Sequence, residues 1–436
     1  MSMDLAWVGC QPVKQSIGDR QQSTGPRGPG HWEAENRKGP GLTFDAGADS
    51  CSAGGVHPAR LIFGGLCVIA ALLDAFETVI LPRRATGRFQ FTRMFYKLTW
   101  RPWRWIAQHV RQPRKRETML SFYGPLSLVI LIAAWAGALV AGFALIYSGF
   151  PSAFMDASGT RHRFVTDLYV SGTTIFTLGL GDVVPHGTLT RALVVLESGI
   201  GLGFVALVIG YFPVLYGAFS RREVNIALLD ARAGSPPTAF ELIRRHSFEG
   251  GRAALVLLLE EWERWSAELL ESHISDPLLC LFRSQHTSQS WLSALTAILD
   301  TCALLIASVQ EHSARQAQLT FAMARHALVD LSQTLGLKPA NVPEDRLPTE
   351  RYQQIYDQLC QAGVRVCRDE QSSERLVELR GMYEGYAAAL SRFLAMPLPP
   401  FFNEHPKKDN WQTVARLRAA AEGEGSRVHD GEEHIF

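Results

Sequence analysis

Thr174-Ile175-Phe176-Thr177-Leu178-Gly179-Leu180-Gly181-Asp182 lies between two long apolar stretches, Leu120 to Tyr147 and Leu193 to Phe219. Backbone that leaves the helical path at membrane depth exposes carbonyls that hydrocarbon cannot satisfy, so it must be buried in protein or line a watery path. Gly179 and Gly181 alternate with Leu178 and Leu180. Glycine enters left-handed wells at little steric cost, which lets successive carbonyls turn toward one side. A row of such oxygens can stand in for the water shell of an ion. Ahead of the row, Phe164 to Phe176 would be about 20 Å long as a helix, too short to span, and reads as a half-crossing helix whose C-terminal partial charge favours a cation. Thr177 adds a hydroxyl at the inner end of the row, and Asp182 is placed to brace the loop from behind. The plainer reading is a Gly-containing turn between two apolar helices. A phosphate-cradling loop is disfavoured, because neither Gly179-Leu180-Gly181 nor Gly199-Ile200-Gly201-Leu202-Gly203 completes G-x-G-x-x-G.

These residues resemble the pore-loop potassium channels, whose signature is Thr-x-x-Thr-x-Gly-x-Gly-Asp. Thr174, Thr177, Gly179, Gly181 and Asp182 fit it. Leu178 stands where Val is usual and Leu180 where Tyr is usual, although Leu or Phe occurs there in some two-pore-domain relatives. The resemblance covers Leu120 to Arg222, with half-helix, motif and following helix in the family's order. It implies a filter of Thr177, Leu178, Gly179, Leu180 and Gly181, with potassium held at Thr177, Leu178, Gly179 and Leu180 and with Thr174 and Asp182 in support. It also implies a gating hinge at Gly201, twenty residues after Gly181, with Gly203 and Pro213 as further flexible points. One motif per chain and a ring of four loops imply a homotetramer. The substitution at Leu180 keeps a nonselective cation pore open as an alternative.

Length and composition agree with a membrane protein of several parts. The chain has 436 residues, room for two or three domains, and its 47% hydrophobic content averages very unlike regions. Seven cysteines with no C-x-x-C pair indicate neither a disulfide framework nor a zinc site. Met1 to Val13 lacks a basic segment followed by a sustained apolar run, so membrane insertion is expected to rest on the first span. No Ser-His-Asp order, metalloprotease pattern or Walker loop points to catalysis, and no cofactor is expected beyond the permeating ion. His246, His273, His286, His312 and His326 are scattered and read as surface or bundle histidines.

Taken in order, residues 1–58 are rich in Gly, Pro and Ser and read as disordered. Residues 59–119 hold a first transmembrane helix, Leu61 to Leu81, and a basic loop. Asp74 and Glu77 share a face of that helix, either paired with arginines near Pro82-Arg83-Arg84 or forming a gating or proton-sensing contact. Arg83 to Arg116 carries eleven Lys or Arg residues, no acid and many aromatics, the mark of a cytoplasmic headgroup region; lipid is the expected partner, anionic lipid included, and nucleic acid is not.

Residues 120–220 form the pore domain, with Gly124, Pro125, Gly137 and Gly142 permitting kinks or close helix contacts in its first span. A short turret, Phe150 to Arg163, has only Arg161 and Arg163 as fixed positive charges, which places the basic loop inside and the filter outside. Glu197, a third intramembrane acid, is expected behind the filter or at a subunit contact. Residues 221–396 read as soluble helices: Phe240 to Glu271, Trp291 to Leu335, Glu350 to Cys367 and Ser373 to Ala395, with a link at Leu337 to Pro348. Trp291 to Val309 is apolar enough for a fourth span, but Asp300 and polar flanks favour a buried bundle helix. Residues 397–436 read as a flexible tail.

The expected fold is an all-α membrane protein with three transmembrane helices plus a re-entrant pore helix and filter loop, followed by a cytosolic α-helical bundle. The chain would sit in the cell membrane with its C-terminal domain cytoplasmic. The expected function is a homotetrameric, potassium-selective cation channel. The alternative from another class is a membrane-anchored helical sensor or binding protein.

Overall fold

The computed structural model describes residues 56–81, 91–150, 153–156, 164–284, 289–309, 314–341, 345–367 and 369–403. The expectations for the N-terminal segment before residue 56, for Arg83, Arg84, Arg161 and Arg163, for His286 and His312, and for residues 404–436 lie outside them.

Helix α1, Pro58–Val79, and helix α3, Pro113–Ser148, each begin on a proline, whose fixed φ suits a first turn. The two run antiparallel, with His57 N donating to Gly149 O at 3.0 Å at one end. Their backbones touch midway: a Cβ on Gly64 would lie 2.6 Å from Gly142 O, and one on Gly142 would lie 2.7 Å from a Val68 methyl. Small residues at a helix crossing permit this approach where lipid supplies no hydrophobic drive. Gly142 therefore serves a close contact, whereas Gly137 faces open space within the chain.

The basic stretch is more ordered than a loop. Phe91–Gln108 forms helix α2, which packs against α3 through Thr99 Oγ1 and Tyr123 OH at 2.8 Å and Trp103 Nε1 donating to Met119 O at 3.0 Å. Asp74 explains where α2 begins. Its carboxylate accepts from the Thr92 amide at 3.2 Å, from Thr92 Oγ1 at 2.6 Å and from Trp135 Nε1 at 2.8 Å. Among the described residues Asp74 thus forms a staple joining α1, α2 and α3, because a capping carboxylate satisfies an orphan amide of a helix start.

Beyond α3 the chain makes a short strand β1, Phe154–Asp156, helix α4, Phe164–Ile175, strand β2, Val183–Pro185, and the long helix α5, Thr188–Ala233. The strands pair antiparallel, Phe154 opposite Pro185 and Asp156 opposite Val183, so the all-α expectation misses one small ribbon flanking α4. Three-residue strands carry too little period-2 pattern to be read from sequence.

The C-terminal part comprises α6, Ala239–Arg245, α7, Gly251–Ser275, a 3-10 turn, Pro277–Leu281, then α8, Trp291–Ser308, α9, Ala314–Thr334, α10, Thr349–Gln361, α11, Glu370–Gly381, and α12, Glu384–Leu394. The expected segment Phe240 to Glu271 is broken at Gly250, whose φ of +80° suits glycine and interrupts the helical path. Among the described residues four helices, α1, α3, α5 and α8, are long and apolar enough to cross a membrane. They are not alike: 89% of the apolar window of α8 is buried by other helices, against 28%, 39% and 17% for α1, α3 and α5. Asp300 of α8 is fully buried and takes both Nη atoms of Arg346 at 2.8 Å together with the Tyr383 hydroxyl.

The tail expectation needs correcting at its start. Phe401 is 1% exposed, its carbonyl accepts from Phe240 N at 3.2 Å, and the guanidinium groups of Arg346 and Arg380 lie 4.8 and 5.1 Å from its ring centre. Cation–π contact and apolar burial thus hold residues 397–403 as a strap.

Candidate functional site

Helix α4 passes into the quoted stretch without a loop. Phe176 N donates to Gly172 O at 3.2 Å, Thr177 N to Thr174 O at 3.0 Å, and Leu178 N to Thr173 O at 2.7 Å. Thr174 therefore meets the row through its carbonyl, beside Thr173, which the sequence did not single out. Thr177, Gly179 and Gly181 have φ of +56°, +53° and +76°, while Leu178 and Leu180 stay on the ordinary side. Alternation of φ sign turns successive peptide planes over, which lets carbonyls that would point to opposite sides of a strand turn toward one side. Thr177 accepts a conformation costing about 1–2 kcal/mol to a residue with a Cβ, a strain that persists where surroundings fix it.

Among the described residues, none donates a hydrogen bond to the carbonyl oxygens of Phe176 to Gly181. Residues 176–182 are all exposed within one chain, with Leu178 at 61% and Leu180 at 63%. Asp182 accepts from Tyr169 OH at 3.0 Å, which ties the far end of the row back to α4. Asp167, buried in the first turn of α4, sits where a helix dipole welcomes a negative charge.

Behind the row, α5 meets α4 at two successive turns. Glu197 is fully buried and accepts from Tyr147 OH of α3 and Ser171 Oγ of α4, each at 2.5 Å. Glu197 thus lies within the chain where α3, α4 and α5 meet. Gly201, one turn on, has no room for a side chain: a Cβ would lie 2.8 Å from Ile175 Cα and closer still to Ile175 O. Gly203 and Gly210 have open space instead, and Pro213 lies inside an unbroken α5.

The other end of α5 is gripped by the segment following α7. Tyr211 OH donates to Asp276 Oδ2, and buried Arg222 donates to Leu279 O and Phe282 O at 2.9 Å each. The Phe282 ring packs on Phe219 with centroids 5.7 Å apart and against α3 where Gly124 leaves space, since a Cβ there would lie 2.9 Å from it. Gly124 thus receives a side chain rather than bending its helix. Arg222 Nη1 also lies 3.0 Å from His273 Nε2, and burial, followed by the Arg222 charge, holds His273 neutral, well below the usual imidazole value. No group of three His, Cys, Asp or Glu residues among the described ones could hold a metal.

Three comparisons bear on this arrangement. No solved structure matches the chain. The uncharacterized membrane protein YdjJ of Bacillus subtilis (strain 168) is 26% identical over 243 residues, covering 55% of this chain and 67% of that protein. Residues 128–215, from α3 through α4 and the carbonyl row to Leu215 of α5, match the sequence model of an ion-channel family. That family is not enzymatic, and the chain carries its ion-channel pore domain over residues 128–215.

Proposed function

We propose that four copies of this chain form a potassium-selective channel, with the carbonyls of Thr177 to Gly181 and the Thr177 hydroxyl replacing the hydration shell of the ion. The observation that carries this reading is a run of carbonyls with no hydrogen-bond donor among the described residues, on a backbone whose φ alternates in sign, next to apolar helices. Such oxygens are tolerable at membrane depth only if a cation or water meets them. The exposure of Leu178 and Leu180 in a single chain supports assembly, since other copies around an axis would cover them. In this reading α1, α3 and α5 are the spans, α4 with the row is re-entrant, and α8 is the centre of a cytoplasmic bundle. The buried Asp300 of α8 favours that assignment, because a paired carboxylate belongs in a protein core more readily than against lipid. Gating would proceed by movement of α5, with Gly203 as the flexible point and Gly201 and the stretch from Tyr211 to Arg222, Pro213 included, as fixed contacts.

The test is the reversal potential of purified protein in planar bilayers under potassium and sodium gradients. A potential following potassium supports the proposal. One midway between the two ions would make the pore nonselective, and no current in either salt would favour a membrane-anchored sensor.

A further inference from the structure

We propose that the flank of α2 formed by Arg93, Lys97 and Arg101, beside Phe91, Met94 and Leu98, binds an anionic phospholipid of the inner leaflet. At 100° per residue, α2 divides into three stripes. Tyr96, Trp100, Trp103 and Ala107 pack against the protein, with Trp100 and Ala107 buried. The second stripe carries Phe91, Met94 and Leu98, which are 43%, 60% and 73% exposed, followed by Trp105. Between them stand Arg93, Lys97 and Arg101, all exposed and spaced one turn apart. None of the three makes an ion pair among the described residues.

Depth decides the occupant. Thr92 is bonded to Asp74 and to Thr78 of α1, which ends at Val79, so α2 starts at the level where α1 leaves the hydrocarbon. From there it runs outward along α3, and the ladder from Arg93 to Arg101 rises about 12 Å, enough to traverse the headgroup layer of one leaflet. From Phe91 to Arg116 the chain has eight Lys or Arg residues and no acid, so the charge facing that layer is of one sign. Phosphate oxygens can pair with the basic stripe while the acyl chain lies on the apolar one. Arg104, by contrast, is engaged: it donates to Arg392 O and Phe393 O, and Trp100 Nε1 also donates to Phe393 O, so the part of α2 from Trp100 to Arg104 is fastened to the end of α12. The inference rests on α1 and α3 being spans, not on conduction.

The test is retention of phosphatidylglycerol and phosphatidylcholine by the full chain in detergent, counted by native mass spectrometry across a lipid titration. Wild type should bind phosphatidylglycerol more tightly, and more weakly as salt rises. Arg93→Gln/Lys97→Gln/Arg101→Gln should lose about a hundredfold in that affinity, from roughly fivefold per basic residue, with phosphatidylcholine unchanged. Arg111→Gln/Arg114→Gln/Lys115→Gln, with the same charge change, should behave as wild type. Equal affinity for the two lipids, equal losses in the two triple variants, or displacement of the lipid by glycerol phosphate would overturn the proposal. So would a Leu98→Cys chain that crosslinks between copies, which would make the face a subunit contact. Should the first triple variant fail to fold, Lys97→Gln alone keeps the question open to refutation, with about a fivefold loss expected. Since no step reads current, a silent pore leaves this result intact.

Discussion

Gly201→Ala distinguishes a packing glycine from a hinge glycine. Within α5 an alanine would gain about 1 kcal/mol of helix propensity over glycine. Against that, its Cβ would sit 2.8 Å from Ile175 Cα and 2.9 Å from Ile175 C, where carbon atoms settle at about 3.5–4.0 Å. The obstructing atoms are backbone and cannot rotate aside, so α4 and α5 must separate by about 1 Å. Overpacking of this kind costs about 1–3 kcal/mol, with the upper end expected for an immobile neighbour. The net is about 2 kcal/mol of destabilisation per copy. Ile175 is the last residue of α4, so the displacement passes directly to Thr177 and the carbonyl row. Gly203→Ala and Gly210→Ala serve as comparisons, since nothing in the chain lies within 4 Å of a Cβ at either position. The assay is thermal unfolding of the purified protein, with potassium flux into liposomes measured in parallel. Gly201→Ala should melt a few degrees lower and lose flux, whereas the other two should melt at or above wild type. A Gly201→Ala protein as stable and as conductive as wild type, or a larger loss at Gly203, would refute the packing argument.

Gly179→Ala places a Cβ at φ +53°, a strain of about 1–2 kcal/mol in each copy, and should cut potassium flux at least tenfold, read in the same liposomes. Asp300→Ala leaves Arg346 buried without its main partner and should destabilise by about 3–5 kcal/mol, seen as a lower urea midpoint. His273 is kept neutral in the folded chain, while an unfolded chain takes up the proton near pH 6.5. Stability is therefore fully present above that pH and is lost as pH falls below it, by up to about 1.4 kcal/mol per unit. His273→Gln should flatten the urea midpoint between pH 6.5 and 5, and an unchanged slope would show that another group is responsible.

What the sequence revealed depended on how local the signal was. Apolar runs and their glycines located α1, α3 and α5, and the alternation of Gly with Leu was enough to anticipate the turned backbone at residues 177–181, because handedness is set residue by residue. Partners were far less legible. The sequence puts Asp74 on a shared helix face with Glu77, but that it caps α2 depends on Thr92 folding back beside α1, a contact made by tertiary packing. Glu197 likewise gave no sign that Tyr147 and Ser171 would reach it from two different helices. Gly201 read as flexible because glycine is permissive, yet its neighbour Ile175 lies on another helix and closes the space. The strap at residues 397–403 was missed for a related reason: a Pro-rich stretch lacks periodicity, and only Arg346 and Arg380 flanking Phe401 reveal what holds it.

The contacts along α5 constrain how the pore domain can move. Near the carbonyl row the helix is fixed by Glu197 and Gly201 against α4, and from Tyr211 to Arg222 it is fixed by the segment 276–282. Between these anchors lie Gly203 and Gly210, neither packed within the chain. A bend of α5 there leaves the upper contacts intact but must either break the Tyr211–Asp276 bond and both Arg222 bonds or carry Phe282 along. Breaking them leaves the buried Arg222 guanidinium with Glu223 but without two of its carbonyl acceptors, so carrying the segment along is the lower-energy course. Phe282, however, is also seated on α3 at Gly124 and joined through Arg283 to Glu117 at 2.6 Å. In the proposed channel, movement of the lower half of α5 would therefore carry the Glu117–Gly124 end of α3, the 276–282 segment and the C-terminal helices with it, while Tyr147 keeps the other end of α3 on Glu197 beside the carbonyl row.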